Sequence, residues 1–433
     1  MKHVRITPST LMGTVNIPPS KSMSHRSIFC AALSDGISNI RNVLLSEDIK
    51  ATCEAVEALG AKIKYKPEDD KNGRYHLRIQ GTARLKKKKE KIDCNESGST
   101  IRFIIPLLAM LGESITVTGK GRLVSRPLDV YYDIFQEKKV YYTNKYGELP
   151  LTINGKLQSG TYQMQGDVSS QFITGLLFAL PLLKGDSVLE ITTELESKPY
   201  VEMTLEMLER FGIEIENQDY KRFVVKGDQS YTATDYSVEG DFSQAAFWLC
   251  AGALSGEIYS NDLKFDSLQG DKIIVTLLEK MDAKIEKLLL GYKTSRSELR
   301  GVTIDASQCP DLVPILSVVA SLSYGMTEIV NAKRLRIKES DRLDAITQVL
   351  SGLGADIAQY TDGLIIKGSD RLKGGKVDSF QDHRIAMAAA IASICCEEEV
   401  IITNADSVKK SYPHFWEDFK ALGGMVDEFK LEQ

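Results

Sequence analysis

Six copies of one phrase, spaced about 72 residues apart, restrict the fold of this chain more than any other feature. Each copy is an amphipathic run closed by Gly or a stand-in, then a small residue and an aliphatic. The copies are 56–63, 134–140, 208–215, 278–285, 350–357 and 419–426. Counted at the glycine position from residue 60, the steps are 78, 74, 70, 72 and 69 residues. A helix closed by a left-handed glycine and followed at once by a strand produces this pattern. The copies at 134–140 and 278–285 lack the glycine, which predicts a different ending for those two helices.

A second series has the same period. Six polar turns open apolar helices: Ser20-Lys21-Ser22, Ser97-Gly98-Ser99-Thr100, Asp167 to Gln171, Gly240 to Gln244, Cys309-Pro310-Asp311 and Gln381 to Arg384. Taken at 22, 98, 169, 241, 311 and 382, the steps are 76, 71, 72, 70 and 71 residues. Ser, Asp and Gly are the residues that cap helix N-termini. Strand-like pieces at 77–79, 223–226 and 364–366 follow the Gly-capped helices. The repeat therefore reads as βαβαββ. Six separate cores of about 70 residues would each be marginal, so the units should group. Two lobes of three are the natural partition, with one crossing near Gly240.

Composition excludes several function classes. The 433 residues are 43% apolar, enough for a sizeable core, and 54 basic against 59 acidic residues leave a net charge of −5. Bulk affinity for nucleic acid would need a strongly basic face. The lysine run at 86–91 reads as a solvated loop. Seven scattered cysteines without a CxxC pair argue against a disulfide framework or a zinc site, and Cys395 and Cys396 read as core. The longest apolar run, 385–396, falls short of the roughly 18 residues a membrane span needs. The first ten residues read as a strand rather than a leader, which predicts a cytoplasmic protein. Without GxxxxGK[ST], GxGxxG after a strand, or GxSxG, chemistry on ATP, NAD or a serine nucleophile lacks support.

The turns carry the chemistry. A helix N-terminus presents unpaired N–H groups and partial positive charge. Cations accompany these turns: Lys21 and Arg26 beside Ser22, Arg102 one turn past Gly98, Arg126 before Pro127, Arg384 after Asp382, and Lys410. If the turns converge, the site suits one or two small, multiply charged anions. Two carboxylates lie among these cations. Asp311 heads an apolar helix, and Glu339 sits in Arg336-Ile337-Lys338-Glu339-Ser340-Asp341-Arg342. Read as a helix, that segment puts Lys338 and Arg342 on one face with Glu339 about 100° away. A carboxylate between fixed cations suits acid–base work. A surface i,i+4 network on an amphipathic helix is the alternative for Glu339.

At these residues the sequence resembles the 5-enolpyruvylshikimate-3-phosphate synthase family of enolpyruvyl transferases. The matching segments, in family order, are Pro19-Ser20-Lys21-Ser22 to Arg26, Ser97 to Arg102, Arg126-Pro127, Ser169 to Phe172, Arg336 to Arg342 and Asp382-His383-Arg384. The resemblance spans the whole chain. It implies an α/β (α+β) fold: a two-lobed inside-out barrel of six βαβαββ repeats, three per lobe. The lobes expected are 1–19 with 241–433, discontinuous because the N-terminal strand returns to it, and 20–240. It further implies a shikimate-3-phosphate site of Lys21, Ser22, Arg26, Ser169, Ser170, Gln171, Ser197, Tyr200, Asp311 and Lys338. Phosphoenolpyruvate would be held by Lys21, Gly98, Arg126, Gln171, Arg342, Arg384 and Lys410. Asp311 would act as base at the shikimate hydroxyl and Glu339 as proton donor to the methylene carbon, with Lys21 also in the catalytic set. No cofactor, metal, nucleic acid or membrane is implied, and family members are usually monomers.

The chain departs from the family pattern at Phe103, where many members carry Pro, and at Arg334, where an Asn is often found. The closest rival is the UDP-N-acetylglucosamine enolpyruvyl transferase, which typically has a Cys on the loop before its Arg-Pro pair. Gly119 to Ser125 holds none. A non-catalytic anion-binding scaffold is the rival of another class, opposed by the retention of both Asp311 and Glu339.

Overall fold

The computed structural model describes residues 2–68 and 73–429. The chain forms two compact units: Met1–Pro18 with Glu239–Gln433, and Pro19–Val238. The first division falls after Pro18 and the second after Val238, against the expected 19 and 240. Hydrogen bonds at the divisions account for both. Val238 is tied to the strand Ile37–Leu44 through Arg41 O and the Asn42 side chain, whereas Asp241 N–H donates to Pro18 O.

Among the described residues, twelve α-helices alternate in character. They are α1 (Lys21–Leu33), α2 (Glu47–Ala58), α3 (Gly98–Leu111), α4 (Asp129–Glu137), α5 (Ser170–Ala179), α6 (Lys198–Arg210), α7 (Phe242–Ser255), α8 (Ile274–Lys280), α9 (Val313–Ser321), α10 (Arg342–Gly352), α11 (His383–Ser393) and α12 (Phe415–Ala421). The odd-numbered helices follow the polar turns and are buried on nearly every side; α11 is buried along its whole length. A helix that is apolar all round belongs in an interior. In Pro19–Val238 the centre is a phenylalanine triad, one ring from each of α1, α3 and α5. Phe29 lies 5.6 Å from Phe103 and 5.7 Å from Phe178, and Phe103 lies 5.4 Å from Phe178. In the other unit α7, α9 and α11 pack on one another through small residues such as Ala386, Ala389 and Ala251.

Each unit carries three four-stranded sheets with one pattern: a parallel pair at one edge, then two antiparallel partners. In Lys91–Asp93, Ile115–Thr118, Glu148–Ile153 and Tyr142–Lys145, for example, only the first two strands run parallel. Two strands are exchanged relative to chain order. Met12–Asn16, which precedes α1, pairs with Glu257–Asn261 after α7; Tyr236–Ser237, which precedes α7, pairs with Ile37–Leu44 after α1. His3–Thr7 lies inside its sheet, between Val400–Thr403 and Met425–Phe429.

The even-numbered helices all close the same way. The N–H of Ala61, Val140, Ile213, Ala283, Ala355 and Gly424 each donates to the carbonyl five residues back. This is the Schellman closure. The expectation that α4 and α8 would end differently is corrected: Lys139 (φ 56°) and Asp282 (φ 69°) take the left-handed position that glycine fills elsewhere. The six-to-one hydrogen bond and the strand that follows force that conformation on a residue with a side chain. A second correction concerns the cysteines: Cys396 is buried as expected, whereas Cys395 is only partly buried. The lysine run is exposed except at Lys87, whose ammonium donates to Glu90 and to Ser114 O, and Lys91 already begins a strand.

Candidate active site

In Pro19–Val238 the openings of α1, α3 and α5 carry the expected residues. Ser20, Ser97 and Ser169 cap the three helices, accepting from the N–H of Met23, Thr100 and Gln171. Each cap satisfies one backbone donor and leaves neighbouring N–H groups for a ligand. Gln171 joins two of the openings. Its Oε1 accepts from Arg102 at 3.1 Å, and its Nε2 donates to Ser99 Oγ at 3.0 Å. Arg102 also donates to Pro127 O at 3.2 Å, holding the Arg126-Pro127 turn beside α3. Gly98 lets two guanidinium groups come close to the backbone. A Cβ at that position would lie 2.7 Å from Arg126 Nη1 and 2.9 Å from Arg102 Nη1.

Arg26 is held by neutral oxygens. Its guanidinium donates to Thr204 Oγ1, Ser22 O and Tyr200 O, and it sits 5.5 Å above the Phe103 ring. Burial lowers its pKa to about 10. The bond to Tyr200 O fixes the start of α6, where Ser197 takes a left-handed conformation (φ 55°). Lys21 pairs with Asp48 at 2.8 Å. Sequence reasoning missed Asp48, a residue in the first turn of α2, where an acid is ordinarily explained by the helix dipole. Phe103 backs Arg26 and meets His25 edge-on at 6.3 Å. Burial, then Lys21 and Arg26, keep the His25 pKa well below its usual value.

The other unit holds the two carboxylates. Asp311 lies in a 3-10 turn, Pro310–Leu312, that leads into α9 with no side-chain cap. Its carboxylate faces cations: Arg342 at 2.8 Å, Arg384 at 3.1 Å and Lys338 at 3.4 Å. Burial pushes its pKa up, but Arg384, Lys338 and Arg342 prevail and hold it well below the usual carboxylate range. Burial likewise lowers the Lys338 pKa, against the pull of Asp311. Glu339 accepts from Arg342 Nη2 at 2.7 Å. Asp382, the N-cap of α11, accepts from Arg342 Nε at 2.8 Å and from Ser340 Oγ at 3.0 Å. One guanidinium thus serves three carboxylates. Lys410 donates to Gln381 O at 2.9 Å, beside the same turn.

The helical reading of Arg336 to Arg342 is corrected. Lys333–Ile337 is a 3-10 turn, Lys338 is extended, and α10 starts only at Arg342, capped by Asp341. The Asp341 side chain explains the delay: it caps α10 and accepts from Arg336, so the chain before it cannot continue a helix. Glu339 is accordingly no member of a surface i,i+4 network. Arg334 is buried and donates to Ser307 O at 2.8 Å.

The family model for EPSP synthase (3-phosphoshikimate 1-carboxyvinyltransferase) matches residues 6–419. A 3-phosphoshikimate 1-carboxyvinyltransferase of Clostridium kluyveri is 56% identical over 431 residues, covering 100% of both chains. That of Clostridium novyi is 53% identical over 433 residues, again covering 100% of both. In fold, the chain matches the solved EPSP synthase of Acinetobacter baumannii with a TM-score of 0.81 at 24% identity, over 99% of this chain and 100% of that one. Six repeats in two units, the helix openings and full-length similarity agree: the chain belongs to the EPSP synthase (3-phosphoshikimate 1-carboxyvinyltransferase) family of enolpyruvyl transferases.

Proposed function

We propose that the chain transfers the enolpyruvyl group of phosphoenolpyruvate to the 5-hydroxyl of shikimate-3-phosphate, with Asp311 and Glu339 moving the protons. The observation that carries the reading is the sharing of Arg342 by Asp311 and Glu339, inside a ring of cations suited to substrates bearing phosphate and carboxylate groups. Glu339 gives a proton to the methylene carbon of phosphoenolpyruvate. The shikimate oxygen attacks the adjacent carbon as Asp311 takes the hydroxyl proton, giving a tetrahedral adduct. A methyl proton of the adduct then returns to Glu339 as the C–O bond to phosphate breaks, which forms the enolpyruvyl ether and frees phosphate. Arg342, Arg384 and Lys410, with Lys21, Gly98, Arg126 and Gln171, hold phosphoenolpyruvate. Lys21, Ser22, Arg26, Ser169, Ser170, Gln171, Ser197, Tyr200, Asp311 and Lys338 hold shikimate-3-phosphate. The Lys21 ammonium also offsets charge on the departing phosphate. No step requires a metal or organic cofactor. The reading places the enzyme in the cytoplasm as a monomer; among the described residues no helix is long and apolar enough to cross a membrane.

Phosphate release tests the proposal. The protein is mixed with phosphoenolpyruvate and shikimate-3-phosphate without added metal, with UDP-N-acetylglucosamine replacing the shikimate compound in a parallel sample. Release only with shikimate-3-phosphate is expected. Release only with the nucleotide sugar would overturn the substrate, and release with neither would favour an anion-binding scaffold.

A further inference from the structure

Asp271 is a buried carboxylate that the proposed chemistry does not use. It lies in the 3-10 turn Gly270–Ile273, after the strand Glu257–Asn261 and before α8, and is 2% exposed. Its Oδ2 accepts from Ser243 Oγ, in the first turn of α7. Its Oδ1 is buried without a hydrogen-bond partner among the described residues. The neighbouring Lys272 does not turn inward to it, and donates instead to Phe265 O and Ser267 O. The turn that carries Asp271 and the turn Pro310–Leu312 that carries Asp311 both pack against α7. The charged and titratable groups that act on Asp271 there are Asp311 and Cys309 from the turn before α9, Arg384 from α11, and Asp241 at the cap of α7. Burial, then the Asp311 charge, raise the Asp271 pKa to about 6 against the pull of Arg384 and Ser243.

Asp311 has the opposite difficulty. Arg342, Arg384 and Lys338 stabilise its charged form, and every such contact weakens its hold on a proton. Glu339 and Asp382 each accept from Arg342 and so spend part of their charge on that guanidinium. Asp271 has no ion pair of its own among the described residues, so its charge remains to act on its neighbours. We propose that Asp271 is a positioning residue acting through Asp311: its negative charge, buried on a turn that packs against α7 as the turn of Asp311 does, offsets the cations around that carboxylate and equips it to take the hydroxyl proton. The inference rests on the reading of Asp311 as base.

A buried carboxylate without an ion pair burdens the folded protein at neutral pH, and tolerating it is consistent with a catalytic use. The sign follows from linkage. The folded-state pKa lies above the ordinary carboxylate value, so Asp271 favours the folded state least once pH exceeds about 6. Replacing it by a neutral amide of the same shape should leave stability at about pH 8 unchanged or improved, with turnover lowered. A residue that merely braces the fold would do the reverse.

The test is the pH profile of kcat between about pH 5 and 9 for the wild type, Asp271→Asn, Ser243→Ala and Asp311→Asn. Substrate phosphates also titrate near pH 6, so differences between variants are the readout. Asp271→Asn should keep its thermal midpoint and its affinity for shikimate-3-phosphate, lose about tenfold in kcat at the alkaline plateau, and lose the protein's share of the acid limb. Ser243→Ala removes a hydrogen bond to the ionised form and should move the acid limb upward. Folded Asp271→Asn with wild-type kcat and pH profile would overturn the inference. Should that variant not fold, an unmoved limb in Ser243→Ala overturns it alone. If Asp311→Asn turns over normally, the base reading fails and this inference with it; if only Asp311→Asn is inactive, the base reading survives and the role of Asp271 does not.

Discussion

The Arg342 guanidinium and the Asp382 carboxylate meet at 2.8 Å with side chains 1% and 0% exposed. A buried ion pair contributes little by itself, but removing one partner strands the other. Asp382→Asn should therefore destabilise its unit by about 3–5 kcal/mol, read from urea unfolding. Burial raises the Asp382 pKa, yet Arg342 and His383 bring it below the usual range. Its stabilisation is then present above the ordinary carboxylate pKa and lost as pH falls below about 4, so the gap between wild type and Asp382→Asn should close in acid.

Asp311→Asn keeps the size and polarity of the side chain but cannot accept the hydroxyl proton. Turnover should fall about 10²- to 10⁴-fold, the usual worth of a positioned base. Shikimate-3-phosphate binding, followed by calorimetry, should persist. Full activity in this variant would remove Asp311 from the proton path.

Gly98→Ala places a methyl group against two guanidinium groups at 2.7 and 2.9 Å. Arg126 and Arg102 must move, since real carbon contacts are longer. The KM for phosphoenolpyruvate should rise by about tenfold or more, equal to roughly 1.4 kcal/mol of lost anion binding, while the affinity for shikimate-3-phosphate changes less. Equal effects on both substrates would place Gly98 outside the phosphoenolpyruvate site.

Lys139 is exposed and holds φ at 56° to close α4. A left-handed residue with a Cβ costs roughly 1–2 kcal/mol, partly offset by the extra freedom that glycine brings to the unfolded chain. Lys139→Gly should stabilise the unit by about 0.5 kcal/mol, seen as a higher urea midpoint. Gly212→Ala, at φ 78° and with Thr232 Oγ1 2.9 Å from the added methyl, should do the opposite.

The repeat was legible because helix ends are local: caps and glycines sit in fixed places on the chain. The same locality explains the failures. Lys139 and Asp282 carry no local mark of a left-handed residue, because the six-to-one hydrogen bond and the following strand impose it. The Arg336 to Asp341 segment has charges at helical spacing, and only the double use of Asp341 as cap and ion-pair partner explains its irregular course. Asp48 and Asp271 were hidden for another reason. Each gains its meaning from a residue on a different element, Lys21 in one case and Ser243 in the other. Cations on capped turns could be found by reading along the chain; buried acids that answer them could not.

The exchange of the strands Met12–Asn16 and Tyr236–Ser237 also imposes an order on biosynthesis. Once the ribosome has released residue 238, all strands of the Pro19–Val238 unit exist and its sheets can close. The other unit must wait. Its strands His3–Thr7 and Met12–Asn16 are among the first made, yet their partners at Glu257–Asn261, Val400–Thr403 and Met425–Phe429 are synthesised hundreds of residues later. For that interval the nascent chain carries two strands with open edges, ready to pair with any stray strand that reaches them. The length of that exposure is set by translation speed rather than by the stability of the finished enzyme.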